Sequence, residues 1–563
     1  MVQSKVQTNS FAMHHSCLTC SFRNILLIAF LFASTEVLRA QTYSIILGRP
    51  TDASVTASVM FEQNADFFLQ YGTQPGTYSQ TTNTFSPVTN TPIEVELQSL
   101  TANTRYYYIM KYRASGATNY LTSPEYSFHT QRALGSSFTF TVESDEHLYD
   151  KKGVKSMYNI TLANQAADKP DFMLSLGDIF GDDHEPFTIT SGELDTLHRD
   201  YRPFLGNICH SVPFYVCLGN HEGENDYYFN QNPPNNLCVW ATQWRKFYYP
   251  NPSPNNFYSG NTAAEPYGIG NPENYYSWQW GNALFVVLDV YRDQCDTSAK
   301  PGSWNWSLGL PQYTWLKNTL EGSTAQYKFV FAHHVRGQGR GGITNAKLFE
   351  WGGYDGPGGS NYSFPNKRPG WAKPIHKLFQ DNGVNIFFQG HDHVFAHEQL
   401  DSVVYQAVPM AADSTYEIGF LANAGAYVSD TLPGTGHIRV NVTPSCIKVD
   451  FVRAYLPADT LSGLHHNGEV AFSYTIGTCS TAGVNELERE FVQVFPNPAN
   501  DRITLMFDQS QKQHQTRLLD ACGRTLLQTQ FNSLDIAQIP NGIYLLQMET
   551  EQYRTVKKLV VQH

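Results

Sequence analysis

The chain has 563 residues, with 38 Lys and Arg against 50 Asp and Glu, for a net charge of -12. That sign argues against nucleic acid or an anionic membrane as a binding surface, and the length calls for three or four domains of roughly 100–200 residues each. With 41% hydrophobic, 16% charged and 14% aromatic residues, the composition excludes disorder for most of the chain and fits a folded, β-rich, extracytoplasmic protein.

Residues 1–40 read as a secretory signal peptide. Lys5 and Arg23 precede an apolar run, Ile25–Phe32, and Ala40 stands at the expected cleavage point before Gln41. The run is well short of the ~20 residues needed to span a bilayer, and no later stretch reaches that length, so no transmembrane segment is expected. Cys17 and Cys20 fall in the removed part. Seven cysteines remain, Cys209, Cys217, Cys238, Cys295, Cys446, Cys479 and Cys522, in an exported setting where disulfides persist. Their pairing is left open by the sequence.

From residue 41 to about 134 the pattern is alternating strands at Ser54–Phe61, Phe67–Tyr71, Ile93–Leu97 and Arg105–Tyr112, divided by Gly, Pro and Asn. This spacing fits an immunoglobulin-like or fibronectin type III-like sandwich. The segment from Leu97 to Tyr108 resembles the corner of such domains, with Leu100 entering the core and Tyr106 bonding back to the backbone.

Between residues 135 and 478, five short apolar strands end abruptly in polar residues. The first, Phe138–Ser144, runs into Asp145-Glu146-His147; residues two apart on an extended chain share a side, so Asp145 and His147 can converge. The second, Phe172–Leu176, ends in Gly177-Asp178, where Gly permits a sharp turn toward the crevice beyond the strands. Asp182 and Asp183 just after it read as solvated loop carboxylates. The third, Pro213–Leu218, ends in Gly219-Asn220-His221-Glu222. The fourth, Tyr327–Ala332, ends in His333-His334, and the fifth, Val384–Gln389, in Gly390-His391-Asp392-His393. Each element is weak alone, but five convergent strand ends bearing carboxylate, amide and imidazole groups point to a metal site.

In this order the motifs resemble the calcineurin-like metallophosphoesterase superfamily. The preceding sandwich, the Tyr275–Val290 segment and a helix over Gln312–Leu320 resemble its purple acid phosphatase-like branch. The resemblance implies two mixed sheets flanked by helices and two metal ions, iron, manganese or zinc, divalent or of mixed valence. One ion falls to Asp145, His147, Asp178 and His393, the other to Asp178, Asn220, His333 and His391, with Asp178 shared. Two such ions would lower the pKa of a bridging water, whose hydroxide attacks phosphorus in line. His221 is left to stabilise phosphoryl oxygens and protonate the leaving group. Asp178 and His221 are thus the expected catalytic pair, with His334, Arg336 and Glu222 as expected substrate contacts. Gly181 stands where the purple acid phosphatases carry an iron-binding Tyr, so no tyrosinate colour is expected. The loop Arg336–Gly342 lacks the Lys-Ser/Thr of a P-loop, leaving Arg336 and Arg340 as either phosphate contacts or solvated side chains.

Residues 479–490 read as a linker, and 491–563 as a small β-sandwich with strands at Arg502–Phe507, Thr516–Asp520, Gly542–Met548 and Val556–Val561. The FPNPANDRITL, LLDACGRTLL, LDIAQIPNGIYLLQM and KKLVV segments resemble the C-terminal sorting domain of the type IX secretion system. That resemblance makes the secretion machinery a partner and the destination the cell surface or the medium.

The resulting expectation is a multidomain chain: an N-terminal β-sandwich, a central α/β metallophosphoesterase and a small C-terminal β-sandwich. It hydrolyses a small phosphate ester, as a phosphomonoesterase of the acid phosphatase type. The alternatives are a phosphodiesterase or nucleotidase on the same metal core, or a non-catalytic surface-binding protein. Residues 135–490 hold 23 basic and 37 acidic residues, so the acidity belongs to the catalytic region and its linker, where bound cations offset part of it.

Overall fold

The computed structural model describes residues 42–149, 153–294, 304–335, 340–418, 426–479, 492–507, 515–520, 524–549 and 554–563. The signal segment, Cys295, Arg336, nearly all of the 479–490 linker and Cys522 lie outside them.

The first ninety or so residues form two packed sheets. Strands Tyr43–Gly48, Val55–Phe61 and Ile93–Leu97 make one, and Ala65–Gly72 and Arg105–Ala114 lead the other. Inward positions alternate with outward ones, as in Ile93–Leu97, where Val95 and Leu97 are buried and Glu94 and Glu96 exposed. The expected corner is present: the Thr101 amide donates to the Tyr106 hydroxyl at 2.9 Å, and Leu100 is buried.

The central region is built on two mixed sheets. One has six strands in the spatial order 214–216, 172–175, 138–143, 436–442, 446–453 and 470–477. The other has eight, with 283–287, 327–331, 386–389 and 403–407 adjacent and parallel. Both faces of these inner strands are covered, which is why they read as near-continuous apolar runs rather than alternating ones. Between the sheets lies an aromatic core of Phe140, Phe172, Trp278, Phe285, Phe329, Phe331 and Phe388. Phe140 meets Phe285 edge-on at 5.1 Å between centroids, a favoured arrangement for rings that must fill space without stacking face to face. Helices 155–167 and 191–206 cover one outer face, and helices 309–322 and 375–381 the other. The helix over Gln312–Leu320 thus lies within Gly309–Gly322. Because 138–143, 172–175 and 214–216 run parallel in one sheet and 327–331 and 386–389 in the other, all five motif-bearing ends emerge at the same edge of the sandwiched layers.

Cys479, expected at the start of the linker, is instead bonded to Cys446 and ties the end of the last strand to its neighbour. Cys209, Cys217 and Cys238 are buried and free. The C-terminal domain has a three-stranded and a four-stranded sheet around Ile503, Leu505, Leu518, Leu546 and Leu559. Besides the four expected strands it contains Val492–Phe495, Thr525–Thr529 and Ser533–Asp535. Among the described residues no helix is long and apolar enough to cross a membrane.

The sandwich docks on helix 191–206 through Arg202. This fully buried guanidinium donates to Ser44 Oγ (3.0 Å), Ser58 Oγ (3.1 Å), Ser58 O (2.9 Å) and the Tyr248 carbonyl. Among the described residues no carboxylate forms an ion pair with it, so its hydrogen bonds offset the loss of water. Arg202→Ala would remove four hydrogen bonds from this buried seam. The substitution is expected to lower stability by about 2–4 kcal/mol, read as a shifted urea midpoint at constant slope; an unmoved midpoint would show that the contact contributes nothing.

Candidate metal centre

The strand ends do not stay extended. Asp145 (φ 56°), His147 (46°), Asp178 (60°), His391 (66°) and His393 (54°) all occupy the left-handed region. The expectation that Asp145 and His147 converge by strand alternation is therefore corrected: the chain curls at each end, and the curl turns both side chains inward. Left-handed backbone costs a non-glycine residue about 1–2 kcal/mol and persists only where the surroundings over-determine it. The Asp-x-His and His-x-His loops share the device, with φ positive at both outer residues. Gly390 makes the close approach possible: a Cβ there would lie 1.9 Å from Ser144 Oγ and 2.7 Å from Asp145 Oδ2.

The side chains fall into three buried groups of metal-ligating atoms: Asp145 with His147 and His393, Asp178 with His333 and His391, and His334 with His391 and Asp392, the last sharing His391 with the second. Asp145 Oδ1 is 3.8 Å from His147 Nε2 and 3.4 Å from His393 Nε2, and those two nitrogens are 3.0 Å apart. Asp178 Oδ2 is 3.1 Å from His333 Nε2 and 3.9 Å from His147 Nε2, so one oxygen faces both of the first two groups. His391 Nδ1 is 3.3 Å from His333 Nε2. His333 Nδ1 donates to the Leu176 carbonyl at 2.8 Å; the proton on Nδ1 leaves the Nε2 lone pair facing the Asp178 oxygen, and only a proton or a cation between them makes that contact favourable.

Electrostatics reports the same demand. Burial alone would raise Asp145 and Asp178, yet the surrounding imidazoles hold both well below the usual carboxylate range. Burial would lower His333, but Asp178 and Asp145 push it up to about 9. Asp145 Oδ1 and Asn220 Oδ1 are buried with no hydrogen-bond partner. Orphaned oxygens converging with imidazole nitrogens are what divalent cations of the iron, manganese or zinc type require, so the donor set fits such ions.

Residues 138–395 match the calcineurin-like phosphoesterase family, and 493–562 match the secretion system C-terminal sorting domain. The central region is a calcineurin-like phosphoesterase domain. The chain resembles the solved structure of PhoD with a TM-score of 0.54 and 17% identity, over 77% of this chain and 90% of that one. It also matches GAP50, the anchor in the inner membrane complex of Plasmodium (TM-score 0.32, 13% identity, 61% and 89% covered), and the phosphopantetheinyl hydrolase of Mycobacterium tuberculosis (TM-score 0.25, 12%, 49% and 91%). At these identities the likeness to PhoD speaks for the fold alone. No curated protein matches. The protein is a metal-dependent phosphoesterase, exported by the type IX route to the cell surface or medium.

Within the phosphoesterase domain the expected residues fare unequally. All seven expected ligands, Asp145, His147, Asp178, Asn220, His333, His391 and His393, are buried at the strand ends. His221 is about one-third exposed, with Nε2 3.9 Å from Asp178 Oδ2 and Nδ1 2.5 Å from Asp183 Oδ1. Burial opposes its charge, but Asp178 and Asp183 push it up to about 10. Glu222, an expected substrate contact, is buried with both carboxylate oxygens on backbone amides, those of Asp178 (2.9 Å), Ile179 (2.7 Å) and Gly219, and so clamps two motif loops together. His334, the second expected contact, is fully buried with its ring 4.7 Å from that of His391, and it shares a group of ligating atoms with His391 and Asp392. Arg336 lies outside the described residues. Arg340 neither floats in solvent nor points at the centre; it donates to the His391 carbonyl at 2.5 Å.

Three residues acquire roles that the sequence did not suggest. Asp182 is buried against His198 Nε2 at 2.7 Å, and its amide holds the His221 carbonyl. Asp183 faces His221 rather than solvent. Tyr149 packs its ring over Gly181, where a Cβ would come within 2.3 Å of it, and places its hydroxyl 2.7 Å from His147 Nδ1. The Tyr missing at Gly181 thus has its space filled by another phenol, which stands behind His147 and not on the side facing Asp145 and Asp178. The D-x-H-x-Y spacing was visible in the sequence, but nothing in it told this Tyr from the other 32.

Proposed function

We propose that this domain is a dinuclear phosphomonoesterase acting on a small phosphate ester. The observation that carries the reading is the pair of buried ligand groups joined through Asp178 Oδ2, with His221 open to solvent beside them. One metal would be held by Asp145, His147, Asp178 and His393, the other by Asp178, Asn220, His333 and His391. When bound, the cations supply an activated water and neutralise phosphoryl charge. The rest falls to the chain. Asp183 accepts from His221 Nδ1, which fixes the ring with Nε2 toward the centre. From there His221 can donate to a phosphoryl oxygen and deliver a proton to the departing alkoxide. Tyr149 accepts from His147 Nδ1, so the lone pair of that ring sits on Nε2, and Glu222 keeps the Asp178 and Asn220 loops in register. A monoester presents more charge at its terminal oxygens than a diester does, and the imidazolium at His221 meets that charge.

Elemental analysis is expected to find two iron, manganese or zinc ions per chain, with activity on p-nitrophenyl phosphate exceeding that on its bis-ester and both lost to a chelator. A preference for the bis-ester would favour the diesterase alternative. His221→Ala should lower kcat about 10²–10⁴-fold with metal content unchanged; full turnover would remove His221 from the mechanism. Tyr149→Phe should weaken metal binding roughly 10–100-fold in a competition titration, and an unchanged affinity would reduce Tyr149 to a packing residue.

A further inference from the structure

We propose that the ester taken by this site carries a neutral, planar aromatic leaving group, seated on a rim formed by Phe187, Tyr227 and Tyr228. The inference rests on the phosphomonoesterase reading and names its substrate class. Phe187 is 68% exposed, in the loop between strand Phe172–Ser175 and helix Ser191–Gly206. Its ring centroid lies 6.0 Å from that of Tyr228 and 6.5 Å from that of Tyr227, and the two tyrosines meet edge-on at 5.1 Å. These rings come from two separate segments, so their meeting is a product of the fold and not of sequence adjacency. Phe187 leaves apolar surface in water against two half-buried tyrosine rings, the kind of surface that contacts a ligand.

The rim sits beside the chemistry. Asp183, four residues before Phe187, is the partner of His221 Nδ1 at 2.5 Å, and His221 Nε2 is 3.9 Å from Asp178 Oδ2. The two segments leave the centre clamped together, the Asp182 amide on the His221 carbonyl at 2.7 Å, and their rings meet again where Phe187 and the Tyr227-Tyr228 pair follow within a few residues of that clamp. On this proposal an ester whose phosphoryl group sits by His221 would extend its leaving group along these two segments toward the rings. Ligand charge is decided by the same two segments. They carry Asp183, Glu185 and Asp226, and the nearby cation, Arg292, is bonded to Glu265 and to the Glu224 carbonyl. A leaving group with further phosphate or carboxylate would meet like charge; a neutral ring would meet aromatic faces and edges.

The test compares benzyl phosphate with cyclohexylmethyl phosphate, which match in size and in leaving-group type, using methyl phosphate to report the metal chemistry alone. Wild-type kcat/KM is expected to favour the benzyl ester roughly 3–10-fold, and Phe187→Leu combined with Tyr228→Leu should bring the ratio toward one. The 4-carboxybenzyl ester should be slower than the benzyl ester. Calorimetry on the metal-loaded protein with benzylphosphonate and cyclohexylmethylphosphonate should give the same order of affinities. A wild-type ratio near one, or a ratio the double variant leaves intact, overturns the aromatic rim, and equal rates for the carboxylated ester overturn the neutrality. If no monoester is hydrolysed, methyl phosphate included, the phosphomonoesterase reading fails instead, and the phosphonate affinities still decide the rim.

Discussion

Asp145 and Asp178 are buried where the strand ends of two sheets face each other, and a buried carboxylate without compensation is costly enough to unfold a domain of ordinary stability. Much of the central domain can be understood as compensation for that burial. Five imidazoles surround the pair, backbone amides of His221 and His391 donate to it, and the one oxygen shared between the two ligand groups leaves room for cations. The same constraint accounts for the strained backbone. Only by curling through the left-handed region can Asp145, His147, Asp178, His391 and His393 all turn their side chains onto the seam, and that strain is sustained by the packing beneath it.

The packing is the aromatic layer between the sheets. Phe140, Phe329, Phe331 and Phe388 project from strands whose last residues lead into the motif loops, and Phe285 from the strand beside Tyr327–Phe331. A layer of large, stiff side chains leaves few alternative arrangements, so the loops above it start from fixed positions. Glu222 then binds the second loop to the third, Gly390 lets the fifth touch the first, and Arg340 braces the His391 carbonyl. Positioning at the centre therefore comes from backbone contacts between loops as much as from the ligands themselves.

The outer elements serve different ends. Arg202 couples the N-terminal sandwich to the helix that follows the Asp178 loop, so the sandwich steadies the segment carrying Asp182, Asp183 and Phe187. The C-terminal domain has its own core and is matched to secretion, so its physics is separable from that of the centre.

The five motif-bearing strands, the corner at Tyr106 and the residues that gather at the strand ends were legible in the sequence, because apolar runs ending in Gly, Asp, Asn and His are local signals and their order is specific. The roles of Glu222, His334, Asp182, Asp183 and Tyr149 were not. The first four depend on partners 16 to about 60 residues away along the chain, and Tyr149 owes its place to Gly181 as well as to nearby His147. A Glu that binds three amides is indistinguishable in sequence from one that faces substrate. The disulfide between Cys446 and Cys479 was open for the same reason: pairing is set by which strands become neighbours. The sequence by itself determined which chemical groups stand at the strand ends. The tertiary structure alone decided which of them gather at the centre, which hold the loops and which rings meet beside it, because those choices follow from distances across the two sheets.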